Sequence, residues 1–262
     1  IINSNYSFMS SKLEEVGLNV IWGTTVGDNK EDLLRAFDLA SERADAVIVN
    51  GGLGPTVDDL SQEVAAIASG NELELRTDWL EIMEKFFIKR GRVMTENNKK
   101  QAMLPKTSEL INNPIGTACG FAVNIKKARF FFTPGVPREL FLMLENEIIP
   151  RLLSMSGENI VTKLKTFHSY GIGESRADSL LKDVVELAPD KNVKLGFQAH
   201  FPQLETKLFI RASSADEIEK NLIPVENEVR KILGNYIFTE DKDTLEDSII
   251  RALSKSNQTL SI

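Results

Sequence analysis

The sequence predicts an α/β protein in two parts: a parallel sheet covered by helices on both faces, then a smaller α+β domain. Three observations predict it. Residues 18–69 alternate strand and helix patterns, apolar periodicity lapses at "SMSGEN" (154–159), and beyond that break the element order becomes β-α-β-β-α-β. At 262 residues the chain also exceeds the ~100–200 of a typical single domain, so two cores are expected.

Taken in order, Tyr6, Met9, Leu13 and Val16 fall on one helical face, and Gly17 supplies a stop. "LNVIWGTT" (18–25) reads as a strand, "KEDLLRAFDLASER" (30–43) as a helix, "AVIVN" (46–50) as a strand and "DDLSQEVAAIAS" (58–69) as a helix. That alternation is what calls for a parallel sheet. Helical patterns follow at about 77–90, 95–104 and 137–153, with strands near 119–125 and 128–133. After the break come strand 160–168, helix 174–188, strands 193–200 and 204–212, helix 215–233 and strand 236–239. Leu204, Thr206, Leu208, Ile210 and Ala212 alternate cleanly, and Ile218, Leu222, Val225, Val229 and Ile232 mark one helical face. Residues 240–262 read as a charged linker, a short amphipathic helix and the first residues of a strand that stops unfinished. The expected domains are therefore 1–156, 157–240 and a terminal piece, 241–262. Internal repeats and low-complexity tracts are absent from the sequence.

Composition narrows the function. A content of 42% hydrophobic and 26% charged residues is that of a soluble globular protein. No stretch approaches the ~20 apolar residues of a membrane span, and the start lacks the basic-then-apolar order of a signal peptide, so a cytoplasmic location is expected. One cysteine, Cys119, forms no intrachain disulfide, and with two histidines it builds no tetrahedral Cys/His zinc site; any metal would need oxygen ligands. A net charge of -7 argues against a sequence-independent nucleic-acid binder, while small nucleotides remain possible ligands.

The chemistry concentrates in "VIVNGGLGPTVDDLSQEVAA" (47–66). A glycine-rich turn between strand and helix can aim backbone amides at an anion, and the following helix adds positive potential. The spacing is neither G-x-G-x-x-G nor G-x-x-x-x-G-K-[ST]. The plain structural reading is a tight turn with Thr56 or Asp58 as N-cap and Asp59 complementing the helix dipole; one carboxylate would suffice for that, whereas two adjacent acids, Asp58 and Asp59, repel unless a cation or solvent separates them, and Mg²⁺ or Mn²⁺ suits that position. The same sheet edge should carry Asp28 in "TTVGDNKED" (24–32), itself a candidate helix cap, "NNPIGTACGF" (112–121), and Thr133-Pro134-Gly135 ahead of Pro137. Arg92, Lys99, Lys100 and Arg138 could neutralise phosphate. His168 and His200 have no nucleophile motif nearby and read as structural, and "YGIGES" (170–175) reads equally as a tight turn or a ligand contact.

"GTTVGDNKEDLLRAF", "VIVNGGLGPTVDDLSQEVAA", "RGRVMTENNKKQAMLP", "NPIGTACGF" and "FTPGVPREL" together resemble the competence/damage-inducible CinA family, whose N-terminal domain is similar to the molybdopterin-binding domain of molybdenum-cofactor biosynthesis proteins. "YGIGESRADSLLKDV" and "KLGFQAHFPQLETKLFIRAS" resemble that family's KH-like domain. The resemblance implies a three-layer α/β domain with a parallel or mixed sheet that hydrolyses ADP-ribose to AMP and ribose 5-phosphate with a divalent metal (Mg, Mn or Co), in a homodimer. It implies catalytic roles for Asp28, Asp58 and Asp59, metal binding by Asp58 and Asp59, and substrate contacts from Gly51, Gly52, Gly54, Thr56, Lys99, Asn113, Gly116, Thr117, Pro134 and Gly135. The family's chain begins with a strand and a Gly-Asp-Glu-Leu-Leu turn before the Asn matched by Asn5, and continues past the KH-like domain into a nicotinamide-nucleotide amidohydrolase domain; this sequence matches neither part, so deamidase activity is not expected of it. Cys119 stands where the family usually has proline. A pterin-binding or adenylyl-transferring protein, or a non-catalytic nucleotide platform, shares the same fold expectation.

Overall fold

A computed structural model describes residues 3–157 and 161–261. The chain divides into two compact units, Ile1–Glu14 with Asn19–Gly157, and Glu15–Leu18 with Glu158–Ile262.

The first unit holds helices α1 (Ser4–Glu15) and α2 (Lys30–Arg43), strand β1 (Ala46–Asn50), helix α3 (Ser61–Ala68), strand β2 (Leu73–Leu75) and helix α4 (Thr77–Lys89). Strands β3 (Met103–Pro105), β4 (Glu109–Ile111), β5 (Gly120–Ile125) and β6 (Ala128–Thr133) follow, then helices α5 (Pro137–Met143) and α6 (Ile149–Met155). Its main sheet runs β1-β6-β5-β4. The fold class is the expected α/β one, with a mixed sheet: β1 and β6 are parallel, whereas β5 is antiparallel to both neighbours. The reason is local. Only Lys126 and Lys127 separate β5 from β6, with Lys126 at φ 51°, and two residues permit a hairpin but no crossover.

The core is built on β6, where Phe130, Phe131 and Phe132 are all at most 1% exposed. Successive strand side chains point to opposite faces, so a triple buried run means that both faces are covered. Phe132 stacks on Phe121 of β5 at 4.4 Å between centroids, and Phe37 of α2 packs its edge on Phe132 at 5.6 Å. Val64 and Ala65 of α3 and Trp79 and Met83 of α4 join the same cluster. Helix α2 starts where Asn29 accepts from the amides of Glu31 and Asp32, which removes Asp28 from the capping role.

Four expectations are corrected. Residues 18–25 form no strand: β1 has β6 on one side and, among the described residues, no strand on the other, so the segment has no ladder to join. Ile21 and Trp22 stay 59% and 61% exposed, with the Arg43 guanidinium lying over the Trp22 ring at 4.5 Å. The helix expected from 58 begins at Ser61. The 95–104 pattern is a 3₁₀ helix, Glu96–Ala102, closed at its start by reciprocal bonds between Thr95 and Asn98. The helix expected over 137–153 is interrupted by a π segment at Leu144–Ile148, because Pro150 lacks the N–H that would continue the α-helical ladder.

In the second unit, strand β7 (Val161–Tyr170), helix α7 (Glu174–Leu181), strands β8 (Val193–His200) and β9 (Gln203–Ala212), helix α8 (Ala215–Leu233) and strand β10 (Ile237–Glu240) keep the β-α-β-β-α-β order. The sheet order is β10-β7-β9-β8 with every pair antiparallel. Leu204, Thr206, Leu208, Ile210 and Ala212 are buried as their alternation requires, against Ile218, Leu222, Val225 and Val229 of α8. The helix expected over 174–188 ends at Leu181 and resumes as a 3₁₀ turn at Val184–Leu187. Helix α9 (Leu245–Lys255) is present, whereas residues 259–261 form no strand, Leu260 is 66% exposed, and Ile262 lies outside the described residues. Residue 160, the expected start of β7, also lies outside them. Among the described residues no helix is long and apolar enough to cross a membrane.

Candidate functional site

Because β1 and β6 are parallel, their carboxyl ends share an edge, and β4, two antiparallel steps from β6, ends there too. Three of the four loops singled out in the sequence therefore meet: 51–59 after β1, 112–119 between β4 and β5, and 134–136 after β6. The Asn50 side chain joins two of them, donating to Thr133 Oγ1 at 3.1 Å and to the Pro134 carbonyl at 2.7 Å. Asn5 of α1 completes the clasp, donating to Asn50 Oδ1 at 2.9 Å and to the Gly135 carbonyl at 2.8 Å. Asn5 and Asn50 are absent from the sequence-based candidate set, since two asparagines 45 positions apart leave no local pattern. The fourth loop approaches through Lys30, which pairs with Glu63 in the first turn of α3 at 2.6 Å; Asp28 itself is exposed.

The glycine turn is shaped by close approach. Gly52 sits at φ 70°, and a Cβ there would come within 2.4 Å of Ser61 Oγ. Ser61 Oγ donates to the Gly51 carbonyl at 2.8 Å, and the Ser61 amide donates to the Gly52 carbonyl at 3.1 Å, so backbone of the turn caps α3 where no side chain does. The Gly51 amide is used by the Thr133 carbonyl at 2.9 Å. Among the described residues, the amides of Gly52, Leu53 and Gly54 donate to no acceptor.

The two acids differ in burial and partners: Asp59 is half-buried and Asp58 exposed. Asp59 folds back over Gly54, where a Cβ would meet its Oδ2 at 2.4 Å. That oxygen accepts from the Thr56 amide at 2.9 Å and from the Thr56 hydroxyl at 2.5 Å. Asp58 stays exposed, and its carboxyl is held below the ordinary carboxylate range, first by the nearby Thr56 hydroxyl, then by its own backbone amide, with a smaller contribution from the Lys100 ammonium. A hydroxyl has one proton to give, and the short contact to Asp59 takes it; Asp58 feels the Thr56 dipole and keeps its own oxygens toward water. Among the described residues, no three His, Cys, Asp or Glu side chains converge to hold a metal ion.

The remaining candidates take distinct places. Asn113 is 3% exposed; its Oδ1 accepts from the Ile115 and Gly116 amides and its Nδ2 donates to the Ala118 carbonyl and Glu139 Oε2, so it organises the loop from within. Gly116 is buried where a Cβ would meet Glu139 Oε2 at 2.2 Å. The Thr117 carbonyl accepts from Trp79 Nε1 at 2.9 Å, Pro134 is buried, and Gly135 is exposed at the rim. Lys99 pairs with Glu96 at 2.8 Å, while its neighbour Lys100 reaches the turn and donates to the Thr56 carbonyl. Cys119 is buried, and burial pushes its thiol pKa up to about 12. A recess of about 690 Å³ in the second unit is lined by Lys165, Glu240, Asp241, Lys242, Asp243 and Arg251, where Lys165 pairs with Glu240 and Asp241, and Arg251 with Asp243.

Comparison with known proteins identifies the family. Residues 1–154 match the family described as "Probable molybdopterin binding domain", and residues 164–239 match the "Damage-inducible protein CinA KH domain". A CinA-like protein of Shewanella woodyi is 40% identical over 263 residues, and one of Escherichia coli is 40% identical over 266, in each case across 100% of this chain. The chain spans 60% and 63% of the length of those two relatives. Among solved structures, the protein CinA from Thermoplasma acidophilum, described as of unknown function, is 32% identical with a TM-score of 0.52, covering 57% of this chain and 88% of that one. With both of its domains matched in order and at this identity throughout, the chain belongs to the CinA-like family.

Proposed function

We propose that the first domain hydrolyses the pyrophosphate bond of ADP-ribose or a related nucleotide sugar, giving AMP and ribose 5-phosphate. One observation carries the reading: three consecutive amides, Gly52 to Gly54, lack a protein acceptor among the described residues, and the exposed, ionised Asp58 stands four residues on. Amides so placed donate to phosphate oxygens without bringing a counter-charge into the turn. Asp58 orients a water for attack on phosphorus and takes its proton; the bridging oxygen leaves with the other phosphate. Asp59 holds the turn's shape through Thr56. The residues fit a divalent metal only as a partial shell, Asp58 with Asp59 behind it, to be completed by substrate oxygens and water, as Mg²⁺ sites commonly are. When bound, such an ion would neutralise charge on the diphosphate.

The test is incubation with ADP-ribose and Mn²⁺, Mg²⁺ or Co²⁺, following AMP by phosphorus NMR. Asp58→Asn is expected to lower the rate far more than the affinity. Absence of AMP sinks the reading, and thermal protection by ADP-ribose without cleavage would move it to a non-catalytic nucleotide platform. A second reading, molybdopterin binding, is favoured by the family matched over residues 1–154; tight pterin binding with no turnover of ADP-ribose would establish it. The family resemblance further supports a cytoplasmic homodimer with a small-molecule nucleotide as its partner, and sedimentation velocity tests the oligomer.

A further inference from the structure

We propose that Lys100 is the residue that contacts phosphate at the glycine turn, a role that rests on the turn being an anion seat. The cations near this edge differ in what already neutralises them. Lys30 is paired with Glu63 at 2.6 Å and Lys99 with Glu96 at 2.8 Å. Lys100 forms no ion pair with any described residue; its ammonium donates to the Thr56 carbonyl, an uncharged acceptor. That bond uses one of three N–H groups and fixes the ammonium over the turn whose Gly52, Leu53 and Gly54 amides lack acceptors. Its field also reaches Asp58, which it helps to keep ionised. Lys100 is half-buried near the end of a 3₁₀ helix whose first turn is closed by Thr95 and Asn98. An ammonium with no ion-pair partner among the described residues, on the same turn as three amides that lack acceptors, favours a polyanion such as the diphosphate portion of a nucleotide over a neutral ligand.

Isothermal titration of the whole chain with ADP-ribose, inorganic pyrophosphate and adenosine, at low and high salt, tests this. Lys100→Gln is expected to weaken both phosphate ligands roughly 10- to 100-fold, most strongly at low salt, and to leave adenosine unchanged. Lys100→Arg should recover most of the loss, and Lys30→Gln should bind as the parent does. If Lys100→Gln does not fold, acylation of the unaltered protein read by mass spectrometry decides: pyrophosphate should protect Lys100 and not Lys30. Parent-like affinity of Lys100→Gln, equal loss in Lys30→Gln, absence of protection, or failure of the unaltered chain to bind pyrophosphate overturns the proposal. Pyrophosphate binding that depends on Lys100 with no cleavage of ADP-ribose would refute the hydrolase and leave Lys100 standing.

Discussion

Replacing Gly52 by alanine isolates what the close approach in the turn contributes. A left-handed alanine costs roughly 1–2 kcal/mol, less the ~0.4–1 kcal/mol gained by stiffening the unfolded chain. Gly70 measures that backbone cost alone: its φ is 66°, close to the 70° of Gly52, and a Cβ there would meet nothing within 4 Å. At Gly52 the new methyl lies 2.4 Å from Ser61 Oγ, so the hydroxyl must swing away and lose its 2.8 Å bond to the Gly51 carbonyl. Losing that bond adds about 1 kcal/mol, and contact with Ser61 Cβ at 3.3 Å adds more. Gly70→Ala is therefore expected to cost about 0–1.6 kcal/mol and Gly52→Ala at least ~1 kcal/mol more than that. Urea unfolding followed by tryptophan emission reads the difference within one domain, because Trp22 and Trp79 both lie in the first unit and Trp79 is fully buried. Equal losses in the two variants, at equal slopes, would show that Ser61 does not hold the turn.

Three further outcomes are expected. Trp79→Phe, which removes the donor to the Thr117 carbonyl and part of a fully buried ring, should destabilise the first domain by about 1–3 kcal/mol; a change below ~0.5 kcal/mol in the same urea assay would contradict it. Cys119, with its thiol pushed up to about 12, should resist a thiol reagent at pH 8 in the folded protein and react fully in urea, and stoichiometric labelling without denaturant would overturn that. Glu240, held by Arg230 at 2.9 Å and by Lys165, has its pKa lowered from 4.5 to about 2. A depressed folded pKa means its stabilisation is present above pH 4.5 and drains away as pH falls toward 2; allowing for solvent screening this is about 1–2 kcal/mol. Glu240→Gln should flatten the acid limb of the stability profile over that range, and an unchanged limb would refute the assignment.

The parts of the fold that were legible in sequence are those fixed by local chemistry. Helix α2 matches its expected bounds because capping, acidic first turn and apolar face all lie within its own residues. Strand β9 followed from alternation, and the glycine turn from three glycines at the end of an apolar run. What escaped depends on neighbours. "LNVIWGTT" carries a valid strand pattern, yet a strand exists only through a partner ladder, and the pattern cannot say whether one is present. Strands β2, β3 and β4 have three residues each, too few for a period to show. The start of α3 was misplaced because Thr56 and Asp58 suggest a side-chain cap, whereas the Gly52 carbonyl, nine residues before Ser61, provides the bond. At the site the same limit chooses between adjacent residues. Lys99 and Lys100 differ by one position, which on a 3₁₀ helix is a turn of about 120°, so one pairs with Glu96 and the other meets Thr56. Asp58 and Asp59 likewise differ by one position, and it is Asp59 that folds back over Gly54 and bonds Thr56. Which of each pair is committed to a partner follows from where the backbone aims adjacent side chains: Asp59 bonds Thr56, and Lys99 pairs with Glu96.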